Sequence, residues 1–282
     1  MEKPLTWQQE AWIRGRIVFR SIRSLLVYIL MPAASLAVGF VFAHEDMSAE
    51  EFFTYGGNFY TALGMVLTLA VFWRWGKGMG MDLQEEKKRC TEAFSWKKAA
   101  GFLLFGISAA FAWSSFLTLL PDLKLMNTYT EASTKAYYGR DVLFSVLTST
   151  LTAPIAEEVV FRGCMLNTLL ETFHTRAAIF IVTAVFALCH GELIWIFYAF
   201  VMGLMLAKVS LKEDNILYCM LMHMGFNMPA AMIWAVQSQE KLAQAVFGSK
   251  WLIAAYGIIG LLTAMLLAEW YLHPEKMGKR RE

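Results

Sequence analysis

The chain has 282 residues, of which 57% are hydrophobic, 15% are aromatic and only 17% are charged. An average soluble domain is roughly 25% charged, and one soluble core could not bury this much apolar surface, so the composition favours a polytopic membrane protein. The net charge of +2 gives no indication of nucleic-acid binding. The four cysteines contain no C-x-x-C pair, which argues against a disulfide framework or a zinc knuckle.

Eight apolar runs follow one another along the chain, and each has the length of a membrane span or nearly so. A helix needs about 20 residues to cross the hydrocarbon core. We therefore predict an all-α bundle of about eight transmembrane helices, forming a single membrane domain over residues 1–282. The runs lie near 24–43, 58–75, 99–120, 142–170, 177–189, 193–209, 216–235 and 251–270.

Two of these runs differ from a simple membrane span. The first follows a basic segment, as in a signal peptide, but its apolar length of about 19 residues exceeds the 7–15 of a secretory signal, which predicts an uncleaved helix. The fifth run is short and is followed by the polar sequence CHGEL. We expect the hairpin over 177–209 either to enter the membrane without crossing it or to be shielded by neighbouring helices.

The basic residues predict the orientation of the bundle. With eight crossings, 19 of the 25 Lys and Arg residues fall on one side and five on the other, while Arg162 lies inside a span. By the positive-inside rule, both termini are then cytoplasmic. We expect the plasma membrane to be the location.

The stretch TAPIAEEVVFRGCML, residues 152–166, places ionisable side chains inside a predicted span. Each such group costs about 3 kcal/mol at the bilayer centre, so these residues need a reason to be there. Glu158 and Arg162 are separated by four positions, share a helix face and can pair. Glu157 is rotated by about 100° from Glu158 and has no partner nearby in the sequence.

Two later spans add His190, in FALCH, and His223 with Asn227, in HMGFN. At about 1.5 Å per residue from the predicted cytoplasmic ends, Glu157 and His190 lie about 20 Å deep, His223 about 12 Å and Asn227 about 18 Å. The similar depths suggest one site. Purely structural interpretations stay open, because His190 could cap the hairpin and Asn227 could serve only as an interhelical hydrogen bond.

Small residues are expected where these helices pack together. Gly163 and Gly225 each lie within a motif span, and glycine allows two helix backbones to approach closely in a membrane. The Glu158–Arg162 pair is likewise open to a second interpretation, namely a buried ion pair that only fixes helix packing.

The motif EEVVFR resembles the Glu-Glu-x-x-x-Arg motif of the CAAX-processing and bacteriocin-processing (CPBP, or Abi) membrane proteases, which include the Ras-converting-enzyme type. FALCH is similar to their Phe-x-x-x-His motif, and HMGFN to their His-x-x-x-Asn motif. All three occur in the family order over about 150–230. The resemblance does not extend to the first spans.

The resemblance implies an intramembrane endopeptidase and a role for each motif residue. Glu157 matches the general base, and His190 matches the partner that holds the attacking water. His223 and Asn227 match the groups that stabilise the oxyanion. A carboxylate base and amide or imidazole donors are chemically suited to these tasks. The implied substrate is a membrane-associated protein or peptide, of CAAX type or of bacteriocin or pheromone type.

The same resemblance makes Glu158 and Arg162 the supporting pair of the first motif. It also places the catalytic core over residues 142–235. Because a base-activated water needs no cofactor, we expect none. We expect this catalytic site to open to water on the cytoplasmic side.

Two alternatives remain at this stage. Two histidines and a glutamate also form a His₂Glu zinc set, although H-E-x-x-H is absent and Asn227 is a poor zinc ligand. Intramembrane Glu and His also serve ion pathways, so a transporter or a non-proteolytic immunity scaffold is the other alternative. The sequence shows no repeat of the kind common in transporters.

Overall fold

The fold is described from a computed structural model, which covers residues 6–43, 47–120, 124–137, 142–237 and 240–273. The secondary structure of these residues is helical, with no strand among them, which confirms the predicted all-α membrane bundle. Within the described ranges the α-helices are α1 (Trp7–Val41), α2 (Ala49–Tyr55), α3 (Gly57–Trp75), α4 (Leu83–Glu92), α5 (Trp96–Leu119), α6 (Lys124–Tyr137), α7 (Val142–Leu147), α8 (Ala153–Glu158), α9 (Asn167–Leu170), α10 (Thr175–Leu188), α11 (Leu193–Glu213), α12 (Ile216–Gln237), α13 (Glu240–Phe247) and α14 (Lys250–Leu272).

Six segments of the described chain are long and apolar enough to cross a membrane. They are Trp7–Val41, Trp96–Leu119, Leu143–Leu170, Leu193–Glu213, Ile216–Ile233 and Lys250–Leu272. Two of the eight predicted runs are not among them, namely the 19-residue α3 and the 14-residue α10. At 1.5 Å per residue α10 is about 21 Å long, too short to cross the membrane alone. The count of eight crossings and the cytoplasmic termini stay predictions.

The polar segment that connects α3 to α5 contains short helices. Gly76–Met79 forms a 3₁₀ turn, and α4 follows with Asp82 as its cap, accepting hydrogen bonds from the backbone N–H groups of Gln84 and Glu85. The sequence of residues 76–98 predicts a charged cytoplasmic loop that is in part an interfacial helix, and helical turns are found there. Burial raises the pKa of the Cys90 thiol in α4 to about 11, so this cysteine stays protonated at neutral pH.

The sequence predicts that residues 121–141 form the longest outer loop of the bundle. In the structure, the described part of this segment is the helix α6. Residues 121–123 and 138–141 lie outside the described residues.

Close contacts occur at the glycines that the sequence indicates. A Cβ atom on Gly225 of α12 would lie 2.3 Å from the Leu103 carbonyl oxygen of α5, and one on Gly163 would lie 2.2 Å from Met81 Sδ. Since real Cβ atoms do not approach so closely, a larger residue at Gly225 would push α5 and α12 apart, and one at Gly163 would displace the Met81 side chain. The predicted role in close helix packing is confirmed for Gly225, whereas Gly163 packs against the Met81 side chain in the segment before α4.

The segment that carries the first motif is one continuous helical rod with irregular turns. Regular α-helix in α7, α8 and α9 alternates with π-helical turns at Thr148–Thr152 and Val159–Leu166. Pro154, in the first turn of α8, has no N–H group for a normal helical hydrogen bond, which accounts for an altered pattern just before it. The rod is enclosed by α1, α3, α10, α11 and α12, so its polar residues lie inside the bundle.

Candidate active site

Glu157 lies at the end of α8, and each of its carboxylate oxygens faces a group from a distant helix. The Tyr28 hydroxyl of α1 donates a hydrogen bond of 2.8 Å to Oε1. His223 Nε2 of α12 lies 3.5 Å from Oε2. The Glu157 side chain is only 12% exposed. The glutamate that lacks a local partner in the sequence therefore has two in the fold, and they orient its carboxylate.

Glu158 is fully buried and lies in the predicted ion pair. Arg162 Nη1 donates a 2.8 Å hydrogen bond to Glu158 Oε1, and both side chains are 0% exposed. His223 Nδ1 lies 2.9 Å from the same oxygen. One carboxylate oxygen thus joins a guanidinium and an imidazole, which fixes His223 in front of Glu157.

Arg162 is held on its other sides by α10 and α11. Its Nη2 donates to the Gly203 carbonyl at 3.2 Å, and its guanidinium carbon lies 4.4 Å from the centre of the Phe186 ring. A Cβ atom on Gly203 would lie 2.9 Å from Thr183 Cγ2, so glycine is needed for this approach. The arginine therefore connects three elements of the bundle at the level of the site.

His223 has a carboxylate at each ring nitrogen. A ring nitrogen can bond its carboxylate neighbour only as an N–H donor, because a carboxylate accepts and does not donate. The Nδ1 contact with Glu158 is a normal hydrogen bond, whereas the 3.5 Å separation of Nε2 from Glu157 is long. While Nδ1 stays bonded to Glu158, Nε2 is therefore the nitrogen that is available to another hydrogen-bond acceptor.

His190 follows the end of α10, at the link to α11. Its Nδ1 lies 2.9 Å from the Phe186 carbonyl, and because a carbonyl only accepts, we assign the hydrogen to Nδ1 and leave the Nε2 lone pair available. This contact caps the helix, as one of the sequence interpretations has it. In the described part of the chain no hydrogen bond joins His190 to Glu157, although the two are near enough to interact electrostatically.

Asn227 lies one turn after His223 on α12 and makes an interhelical contact. Its Nδ2 donates a 2.9 Å hydrogen bond to the Ser149 carbonyl, in the first π-helical turn. An amide nitrogen carries two hydrogens, so one is used here and a second can serve another acceptor. The contact ties α12 to the rod of the first motif and orients the amide.

Tyr28 is the residue that the sequence analysis did not single out. It lies within the first predicted span, 129 positions from Glu157, and its ring packs edge-on against Phe161 at 5.5 Å between centroids. The sequence contains only a weak indication of this role, since tyrosine is a common residue in membrane helices. Only the packing of α1 against the motif rod brings the hydroxyl to the carboxylate.

The zinc alternative needs three ligands that converge on one point. Among the described residues, no group of three or more His, Cys, Asp or Glu side chains has such an arrangement. His223 uses Nδ1 on Glu158 and directs Nε2 towards Glu157, and His190 uses Nδ1 on the Phe186 carbonyl. As placed, these residues do not fit a His₂Glu site.

The fold and this cluster define a polytopic helical membrane protein that buries a connected group of carboxylate, imidazole, guanidinium and phenol side chains. Residues 139–229 match the family model of the type II CAAX prenyl endopeptidase, Rce1-like proteins, which confirms the resemblance drawn from the three motifs and indicates a protease. The match includes α7 to the middle of α12 and leaves Tyr28 outside. No curated protein and no solved structure matches the chain.

Proposed function

We propose that the protein is an intramembrane endopeptidase that hydrolyses a peptide bond in a membrane-associated protein or peptide. The observation that carries the proposal is the buried Glu157 carboxylate, oriented by Tyr28 on one oxygen and by His223 on the other. A carboxylate in a water-poor site is suited to act as a general base. The family match to endopeptidases supports the same reaction.

In the proposed reaction, Glu157 removes a proton from a water molecule while His190 Nε2 holds that water. The water oxygen attacks the carbonyl carbon, and the carbonyl oxygen becomes an oxyanion. His223 Nε2 and the second amide hydrogen of Asn227 donate to this oxyanion. The C–N bond then breaks, and Glu157 returns its proton to the leaving amine.

Glu158 and Arg162 support this site without contacting the substrate. Their buried ion pair holds His223 through Glu158 Oε1. We propose that residues 142–235 form the catalytic core of one membrane domain, that a cell membrane is its location, and that the substrate is of the CAAX or the bacteriocin or pheromone type. No cofactor is needed for these steps.

A comparison of peptide fragments tests the function and identifies the substrate. Membranes from cells that produce the wild-type protein are compared by mass spectrometry with membranes that contain Glu157→Gln. Fragments cleaved at one defined position should occur only with the wild type. Identical fragments in both samples, with equal protein levels, would show that no cleavage depends on Glu157 and would contradict the proposed mechanism.

Tyr28→Phe is expected to lower kcat by roughly 10- to 100-fold with little change in KM, because a hydrogen bond to a charged group contributes about 1.5–3 kcal/mol. The ring packing against Phe161 is retained in this variant. Steady-state kinetics on the substrate found above measures the effect. Tyr60→Phe, on α3, is the matched control and should behave as the wild type. An unchanged kcat for Tyr28→Phe would mean that the phenol is dispensable.

Asn227→Ala should lower kcat by about 100-fold and leave KM nearly constant, as expected for a donor that acts when charge develops on the oxyanion. The same kinetic assay separates the two parameters. A raised KM with normal kcat would instead make Asn227 a substrate-binding residue. If neither parameter changes, the Asn227–Ser149 contact serves helix packing alone.

Metal removal provides a test of the zinc alternative. After treatment with EDTA and thorough dialysis, the cleavage rate of the purified protein should be unchanged, since Glu157 and His190 are proposed to activate water without a metal. Activity that disappears and returns with one equivalent of Zn²⁺ would favour the His₂Glu mechanism.

A further inference from the structure

A cavity of about 790 Å³ lies at one end of the α1–α3 helix pair, and none of the residues proposed for catalysis lines it. Its walls come from three parts of the chain: α1, the end of α3 with the 3₁₀ turn after it, and the start of α4. Four charged side chains line it, namely Arg23, Arg74, Lys77 and Asp82.

The charges in this cavity do not cancel. Lys77 Nζ lies 2.7 Å from Asp82 Oδ2, so these two residues form an ion pair. Their mutual hydrogen bond raises the pKa of Lys77 and lowers the pKa of Asp82, so both stay charged at neutral pH. Arg23 and Arg74 remain as two positive charges without a carboxylate partner among the described salt bridges.

Arg23 has unused hydrogen-bonding capacity inside the cavity wall. Its Nη2 donates to the Gly78 carbonyl, whereas its Nε is buried and has no hydrogen-bond partner in the described part of the chain. A buried donor without a partner costs free energy, which a bound acceptor would recover. Arg74 is exposed at the rim, with its guanidinium carbon 5.8 Å from the centre of the Trp75 ring.

The cavity lies at the level of a membrane boundary. Arg23 directly precedes the predicted span over 24–43, and Trp75 ends α3, which packs against α1. Trp73 and Trp75 are 53% and 60% exposed, and exposed tryptophans are typical of the membrane–water interface. The predicted orientation places this boundary on the cytoplasmic side, where anionic lipids are enriched and basic pockets between helices bind their headgroups.

We propose that this cavity binds the anionic phosphate headgroup of a bilayer phospholipid, with Arg23 and Arg74 as the cationic ligands. Guanidinium groups bind phosphate oxygens through paired, charge-assisted hydrogen bonds. Val27 and Val71 provide an apolar wall beside these cations, which a lipid's glycerol and acyl carbons fit and a free phosphate ion does not. This site is independent of the proposed proteolytic function.

Lipid binding to the purified full-length protein in detergent tests the proposal. Native mass spectrometry gives the affinity for phosphatidylglycerol and for phosphatidylcholine with the same acyl chains, and glycerol 3-phosphate serves as a headgroup without chains. Phosphatidylglycerol should bind the most tightly. Arg74→Gln should weaken it about fivefold, the contribution of one cation near a lipid headgroup. Because Arg74 is exposed, this variant should fold normally.

Arg14→Gln is the control, since Arg14 is an exposed cation on α1, the helix that carries Arg23, but lies outside the cavity. It should bind phosphatidylglycerol like the wild type. Equal affinities for the two lipids, an unchanged affinity of Arg74→Gln, or an equal loss in Arg14→Gln would each overturn the proposal. Binding of glycerol 3-phosphate as tight as that of phosphatidylglycerol would assign the cavity to a free phosphate compound instead.

Discussion

Purified protein that carries Glu157→Gln is expected to lose a factor of about 10²–10⁴ in kcat, the range that a positioned general base contributes. Glutamine has nearly the same shape and can still accept the Tyr28 hydrogen bond, but it cannot take a proton from water. The fold should be retained. Single-turnover cleavage of the substrate and the thermal unfolding midpoint, measured on the same preparation, separate the two effects.

Glu171→Gln is the matched control for this experiment. Glu171 follows the same motif rod, but its side chain is 47% exposed and pairs with Arg20 at the surface. Its replacement should leave kcat unchanged. Undiminished proteolysis by Glu157→Gln would remove Glu157 as the base, and a comparable loss in both variants would show that any carboxylate change disturbs the protein.

Arg162→Ala is expected to destabilise the protein by about 3–5 kcal/mol, because it leaves Glu158 as a buried charge whose main partner is gone. The side chains of the pair are 0% exposed, so water cannot take over the role of the guanidinium. The defect should appear first as a lower thermal unfolding midpoint and a lower yield. Chemical or thermal unfolding in detergent measures it.

The double variant Arg162→Ala/Glu158→Ala tests whether the loss comes from the unpaired charge. It should be more stable than Arg162→Ala alone, since the isolated carboxylate is also removed. Arg20→Ala is the surface control, and its partly exposed pair with Glu171 should contribute no more than about 1 kcal/mol. A double variant no more stable than the single one would contradict the pairing as the source of the effect.

Part of the candidate site could be predicted from the spacing of residues within a single helix. Glu158 and Arg162 are four positions apart, and four positions return a helix to nearly the same face, so their pairing could be predicted and is found. The family resemblance drawn from the three motifs is confirmed by the match over 139–229. The roles of Glu157, His190, His223 and Asn227 stay predictions that the variants above test.

Other features could not be predicted from the sequence because they depend on irregular backbone geometry. The π-helical turns on both sides of α8 change the rotation per residue, and a regular 100° step therefore misplaces side chains after them. A separate difference is the helix α6, which lies in the segment over 121–141 that was predicted to be a loop.

The sequence by itself determined the membrane bundle, since apolar runs of spanning length have few other stable solutions, and it determined the local ion pair and the close helix contact at Gly225. Only the tertiary structure decided the partners of each carboxylate oxygen. Tyr28 and Glu157 are 129 positions apart, and His223 and Glu158 are 65 apart. Contacts at such separations depend on how helices rotate and pack against one another, and periodicity within a single helix carries no information about that.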